Sequence, residues 1–131
     1  MEMHDLLCFV DLLETNGLPR EHYESILDKL KRAIPHSVAL DPAEWDGYGL
    51  RPIQVVYHPG SPLAEAIDPA VIDADLDYQI EKQEADGSWS PNWSWDFVDA
   101  GAWAEAEREW RGILTLRTLM TLRAYDRIDR E

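Results

Sequence analysis

The thirteen residues from Gln83 to Trp95 constrain this chain more than any other stretch. They carry three of its six tryptophans, Trp89, Trp93 and Trp95, within seven positions. Beside them stands Asp86-Gly87-Ser88, the strongest turn signal in the sequence. The text on either side has helical spacing, so the stretch reads as an ordered joint between two helices.

Asp68-Pro69 is a good helix start, an N-cap acid followed by proline in the first turn. The spacing predicts a helix over about 69–84 that buries Val71, Ile72, Leu76 and Ile80, with Gln83 one turn beyond. After the joint, Asp99 caps a long helix predicted over about 100–126. Its apolar set is Trp103, Trp110, Ile113, Leu114, Leu116, Leu119, Met120, Ala124 and Tyr125. These cover nearly the whole circumference and leave Arg108, Arg111, Thr115 and Thr118 on a narrow strip, so this helix is expected to sit between two layers.

Upstream, residues 3–15 carry Leu6, Leu7, Phe9, Val10, Leu12 and Leu13, a helix apolar enough to be buried on more than one side. Cys8 lies in that run and is expected to be a small core residue. Gly17 and Pro19 separate it from a second helix over about 19–34, with Tyr23, Ile26, Leu27, Leu30 and Ile34 on one stripe. Pro35 is expected to stop it, and the short link makes an antiparallel hairpin. Residues 35–67 hold five prolines and three glycines, which exclude a long helix. Within them Arg51 to Tyr57 reads as a short extended piece, and Trp45, Tyr48 and Tyr57 are expected to pack on the helices. The division is then a hairpin over 1–34, a structured loop over 35–67 and a second hairpin over 68–128.

The chain has 131 residues, 45% of them hydrophobic, enough for one modest core. Its formal charge of −14 argues against nucleic acid and against anionic membrane surfaces. One cysteine permits neither an internal disulfide nor a cysteine-based zinc cage. No apolar run approaches the roughly 18–20 residues of a membrane span. With Glu2, His4 and Asp5 where a signal peptide would be basic, a cytoplasmic location is expected.

Tyr78-x4-Gln83-x3-Gly87-x-Trp89 resembles the repeat motif of the squalene–hopene cyclase and prenyltransferase-repeat superfamily. The flanks Tyr48-Gly49-Leu50-Arg51-Pro52, Asn92-Trp93-Ser94-Trp95 and Glu109-Trp110-Arg111-Gly112 are similar to the C-terminal portion of bacterial proteins of that kind. Gln79 departs from the pattern at an aliphatic position. The resemblance implies an all-α fold, two helical hairpins forming part of an α/α toroid. It also implies structural roles for Tyr78, Gln83, Gly87 and Trp89: the Gln83 amide ties backbone at a helix end, and the Trp89 indole covers it. Gly87 independently suits the sharp turn.

The family's catalytic patterns do not carry over. Asp73-Ala74-Asp75-Leu76-Asp77 lacks the adjacent acids of Asp-x-Asp-Asp and of Asp-Asp-x-x-Asp, and no zinc-ligand pattern surrounds Cys8. The same acids imitate a calcium loop, but Tyr78 stands where that loop needs glycine, so they read as a solvated helix face. His4, His22, His36 and His58 are scattered and read as surface or cap residues. The expectation is therefore no catalytic residue, metal or cofactor. Two hairpins cannot close a toroid, so the chain is expected to self-associate or to dock on a partner that supplies the missing helices. One alternative is the small subunit of an isoprenoid cyclase or prenyltransferase whose catalytic residues lie on another chain. The other is a lipid- or carbohydrate-binding module, with Trp89, Trp93 and Trp95 as the platform and an isoprenoid as a possible ligand.

Overall fold

The computed structural model describes residues 1–129. Its helices are α1 (Met3–Leu13), α2 (Arg20–Ser37), the short α3 (Pro52–Val55), α4 (Pro69–Lys82) and α5 (Ala100–Ala124). Single 3₁₀ turns lie at Pro42–Glu44 and Ala64–Ala66. Among the described residues there is no sheet, only an isolated bridge between Val38 and Leu50. The fold is all-α. No helix is long and apolar enough to cross a membrane.

The helix starts follow local chemistry. Asp68 accepts the N–H of Ala70 at 2.9 Å and Asp99 that of Ala102 at 3.0 Å, each satisfying a first-turn donor. Gly17, with φ of 92°, opens the turn between α1 and α2. Those two helices pack on each other, α3 packs on α4 and on α1, and the joint ties α4 to α5 through Trp89, which bonds both Gln79 and Thr115.

α1 buries one stripe, Leu6, Val10 and Leu13, at the i, i+4, i+7 positions of a single face. The expectation of burial on more than one side is therefore corrected. Cys8, Phe9 and Leu12 are exposed, because α2, with Leu30 and Ile34 facing inward, and α3 meet α1 on the side of Leu6, Val10 and Leu13.

Pro35 does not stop α2. The helix continues to Ser37, and the Val38 N–H still reaches the Ile34 carbonyl at 3.0 Å. Proline removes one hydrogen bond at an exposed position, where water can replace it, while Ile34 and Val38 on either side are buried.

The segment 35–67 supplies the middle of the core rather than a covering loop. Val38, Leu50, Ile53, Val55, Val56, Leu63 and Ile67 all belong to the buried cluster, together with Ile72 and Leu76 of α4, Trp89, and Leu122 of α5. The Ala39 N–H donates to the Leu50 carbonyl at 2.8 Å, which pins the two ends of the intervening turn. Arg51 to Tyr57 is not extended. Pro52 in the first turn favours helical φ, and the apolar Ile53, Val55 and Val56 are then drawn into the core. Trp45 is buried and Tyr57 packs against the core, as expected, but Tyr48 is mostly exposed.

α5 does not lie between two layers. Of its 25 residues only Trp103 and Leu122 are buried. Its inner side meets the joint and α4, while Ile113, Leu116, Leu119 and Met120 face outward.

Candidate functional site

The joint holds its shape by a nested turn. The Gly87 N–H donates to the Glu84 carbonyl at 2.8 Å, and the Glu84 N–H donates to the Ser88 carbonyl at 2.9 Å. Gly87 has φ of 87°, a left-handed conformation natural to glycine. The Gln83 amide donates to the Gly87 carbonyl at 3.0 Å across the turn, while its side chain stays exposed. Arg111 of α5 clamps the turn from outside. Its Nη2 donates to Glu84 Oε2 at 3.1 Å, to Asp86 Oδ2 at 3.3 Å and to Ser88 Oγ at 2.9 Å. The Ser88 hydroxyl and N–H, with help from Arg111, hold the Asp86 carboxyl below its ordinary range.

The three joint tryptophans separate. Trp89 is buried, and its indole N–H donates to the Gln79 carbonyl at 2.8 Å. It therefore caps the end of α4 through the Gln79 carbonyl. Its backbone N–H donates to Thr115 Oγ1 at 3.1 Å, which ties the joint to α5. Trp93 stands edge-on to Trp110 at 5.3 Å and to Tyr48 at 6.3 Å between ring centres. Trp95 is 57% exposed and leans on Trp103 at 6.1 Å.

Trp89, Trp93, Trp95, Trp110 and Tyr48 line a cleft of about 660 Å³, open to solvent between the joint, α5, the 45–51 turn, the start of α1 and the end of α4. A second wall is built on Tyr78. Its hydroxyl donates to Asp46 Oδ1 at 2.7 Å and to the Trp45 carbonyl at 3.2 Å, and its ring meets Trp45 edge-on at 5.4 Å. Lys82 lies 5.3 Å from that ring centre and 3.1 Å from Asp46. Burial, reinforced by Asp46, pushes the Tyr78 hydroxyl up to about 12. The Tyr78 hydroxyl, then Lys82, hold the Asp46 carboxyl below its ordinary range.

Under the cleft lies a buried polar cluster that sequence reasoning missed. Asp75 is fully enclosed. Its Oδ2 accepts the Ile53 N–H at 2.9 Å, and Oδ1 lies 3.5 Å from Arg51 Nε without a hydrogen bond of its own. Gln79, also buried, faces Arg51, and the amide orientation that satisfies both groups puts its oxygen toward Nε, at 2.6 Å, and Nη2. Desolvation pushes Asp75 up to about 6, and the Ile53 N–H and Arg51 only partly offset it.

The reading of Asp73, Asp75 and Asp77 as one solvated face is thus corrected. Asp73 and Asp77 are exposed and pair with Arg127, at 3.5 and 2.8 Å, while Asp75 points inward. Ile80, expected in the core, is exposed. The signal was present in the spacing: Ile72, Asp75, Leu76 and Gln79 make one i, i+3, i+4, i+7 stripe, so the two polar residues share the face of the two buried aliphatics.

Two of the four histidines make side-chain hydrogen bonds. His4 stands between Glu2 at 3.0 Å and the Tyr48 hydroxyl at 3.2 Å, and half-buried His58 meets Glu14 at 3.0 Å. Among the described residues no group of histidine, cysteine and acidic side chains has an arrangement that holds a metal ion. The geometry offers aromatic walls, a floor of one guanidinium and two amides, and an apolar ridge on the far side of α5.

Comparison with family models, with curated proteins and with solved structures finds no match.

Proposed function

We propose that the chain is a helical interaction module that pairs with a second copy of itself along the outer face of α5. The carrying observation is the apolar ridge there: Leu116 and Met120 are each 62% exposed, with Ile113 and Leu119 beside them. A monomer gains nothing from such a row on a helix about 37 Å long, and burying it against a matching row is favourable.

Charge selects the occupant. Glu109, Ile113, Leu116, Met120 and Arg123 follow alternating steps of four and three along one stripe, the spacing of a helix-pairing seam. Glu109 and Arg123 stand equally far from Leu116, one turn pair to each side, and both are exposed. An antiparallel two-fold pair centred on Leu116 sets Glu109 of each copy opposite Arg123 of the other. A parallel pair would set like charge on like. In the terms of the prenyltransferase-repeat resemblance, the second copy supplies helices that one chain of this length lacks.

Native mass spectrometry with sedimentation tests the reading. A dimer is expected, converted to monomer by Leu116→Glu. Glu109→Arg and Arg123→Glu are each expected to weaken it, and the two together to restore it. A wild-type monomer at the highest soluble concentration overturns the proposal, and so does a dimer indifferent to these changes.

A further inference from the structure

We propose that the aromatic cleft binds a small molecule with a flat apolar body and one carboxylate, the body between the Trp93 and Tyr78 walls and the carboxylate on Arg51 and Arg117. The site lies on a different face of α5 from the pairing ridge. Trp110, Leu114, Arg117 and Thr118 turn toward the cleft, while Ile113, Leu116 and Met120 turn away.

Size sets the first limit. A cleft of about 660 Å³ suits a ligand of one to a few rings and is too small for a folded partner. Its aromatic lining, Trp45, Tyr48, Tyr78, Trp93, Trp95 and Trp110 among it, supplies flat apolar area.

The supply of donors and acceptors sets the second. Each acid of the cleft already has one carboxylate oxygen engaged: Asp46 Oδ1 accepts from Tyr78 and Lys82, and Glu84 Oε2 accepts from Ser88, Ser90 and Arg111. Several donors, by contrast, have no partner among the described residues. Gln54 gives its amide oxygen to the Arg51 N–H at 2.8 Å, and among the described residues its Nε2 has no acceptor. Arg51 engages Asp75 and Gln79 through Nε and Nη2, which leaves Nη1 over; its side chain is 18% exposed and lines the cleft. Arg117 lines the cleft as well and forms no ion pair among the described residues. A chain of net charge −14 thus presents unpaired guanidinium donors at this cleft, fitted to an acceptor-rich anionic group. Arg51 is also held in place, with its guanidinium 5.9 Å from the Tyr78 ring centre and fixed from behind, so little ordering is needed on binding.

The probe is 1-naphthoate, followed by calorimetry and by tryptophan quenching on the intact chain. The neutral 1-naphthalenemethanol and geranyl diphosphate serve as comparators. One naphthoate is expected per chain, with the neutral analogue weaker by roughly tenfold or more. Arg117→Gln is expected to remove most of that difference, and Trp93→Ala to weaken both ring compounds. Both positions are at least partly solvent-accessible, so circular dichroism is expected to show the fold intact. Equal binding of the acid and the alcohol overturns the proposal. So does binding of geranyl diphosphate with none of naphthoate, absence of all binding, or loss of binding in Leu116→Glu, which would place the probe on the outer ridge.

Discussion

Asp75 on α4 caps α3 from 22 residues away, its Oδ2 accepting the backbone N–H of Ile53 at 2.9 Å. Arg51, the residue just before α3, has no side-chain acceptor for that role. The cap places a carboxylate where no water reaches it, and burial pushes it up to about 6 from the ordinary 3.8. The folded state therefore holds this proton more tightly than the unfolded chain does. The resulting stability is complete below pH 3.8 and is lost as the pH rises through about 6. From about pH 5 to about pH 7.5 the loss is on the order of 1 kcal/mol. Asp75→Asn removes the titration, so urea midpoints of the variant are expected to rise against wild type over that interval. Parallel midpoints would mean that the carboxylate is not raised.

Trp89 is the second cap, and it closes the C-terminal end of α4. The helix ends as the Gln83 N–H turns to Ile80 at 3.3 Å, so the Gln79 carbonyl has lost its usual donor four residues on. The Trp89 indole replaces that donor inside the core. Trp89→Phe keeps most of the apolar area and strands a buried carbonyl, at an expected cost of about 1–3 kcal/mol in urea denaturation. Trp89→Ala adds a cavity, for about 3–5 kcal/mol. Trp95→Ala, at an exposed ring, is expected to change stability by less than about 0.5 kcal/mol. Equal effects at Trp89 and Trp95 would refute the division of labour within the joint.

These two caps mark the boundary of what the sequence makes legible. The all-α class and the four long helices follow from local signals: apolar periodicity, and the caps Asp68 and Asp99 acting on N–H groups two or three residues ahead. Features decided by distant partners do not follow. The burial of Asp75 depends on Ile53, the helical turn at Pro52–Val55 on the surfaces of α1 and α4, and the run through Pro35 on Ile34 and Val38 being buried together. The cleft was legible only as a cluster of tryptophans, because its second wall, Tyr78 with Trp45, comes from remote segments joined by a hydrogen bond spanning 33 positions.

Gly87 makes a cleaner test of the joint. A Cβ built there would meet Gln83 Nε2 at 3.8 Å, ordinary contact, so space does not forbid a side chain. Its φ of 87° does. Gly87→Ala is expected to cost about 1–2 kcal/mol through backbone strain alone. Gln83→Ala removes one exposed hydrogen bond and is expected to cost less than about 1 kcal/mol. A Gly87→Ala variant as stable as wild type would mean that the turn relaxes to another conformation. The Trp89 contacts to Gln79 and Thr115 would then show it by a shifted emission maximum.

Cys8 tests the rotation of α1. Its apolar neighbours Leu7 and Phe9 suggest a buried thiol, whereas the stripe that α1 turns inward is Leu6, Val10 and Leu13. Cys8 lies two residues from Leu6, about 200° round the helix, so only a rotation of about half a turn would bury it. With the observed rotation the thiol is exposed and open to reagents without unfolding. One equivalent is expected to react with a disulfide reagent in native buffer at nearly the rate found in denaturant. Protection by orders of magnitude would mean that Cys8 faces α2, and the packing of α1 would have to be rotated accordingly.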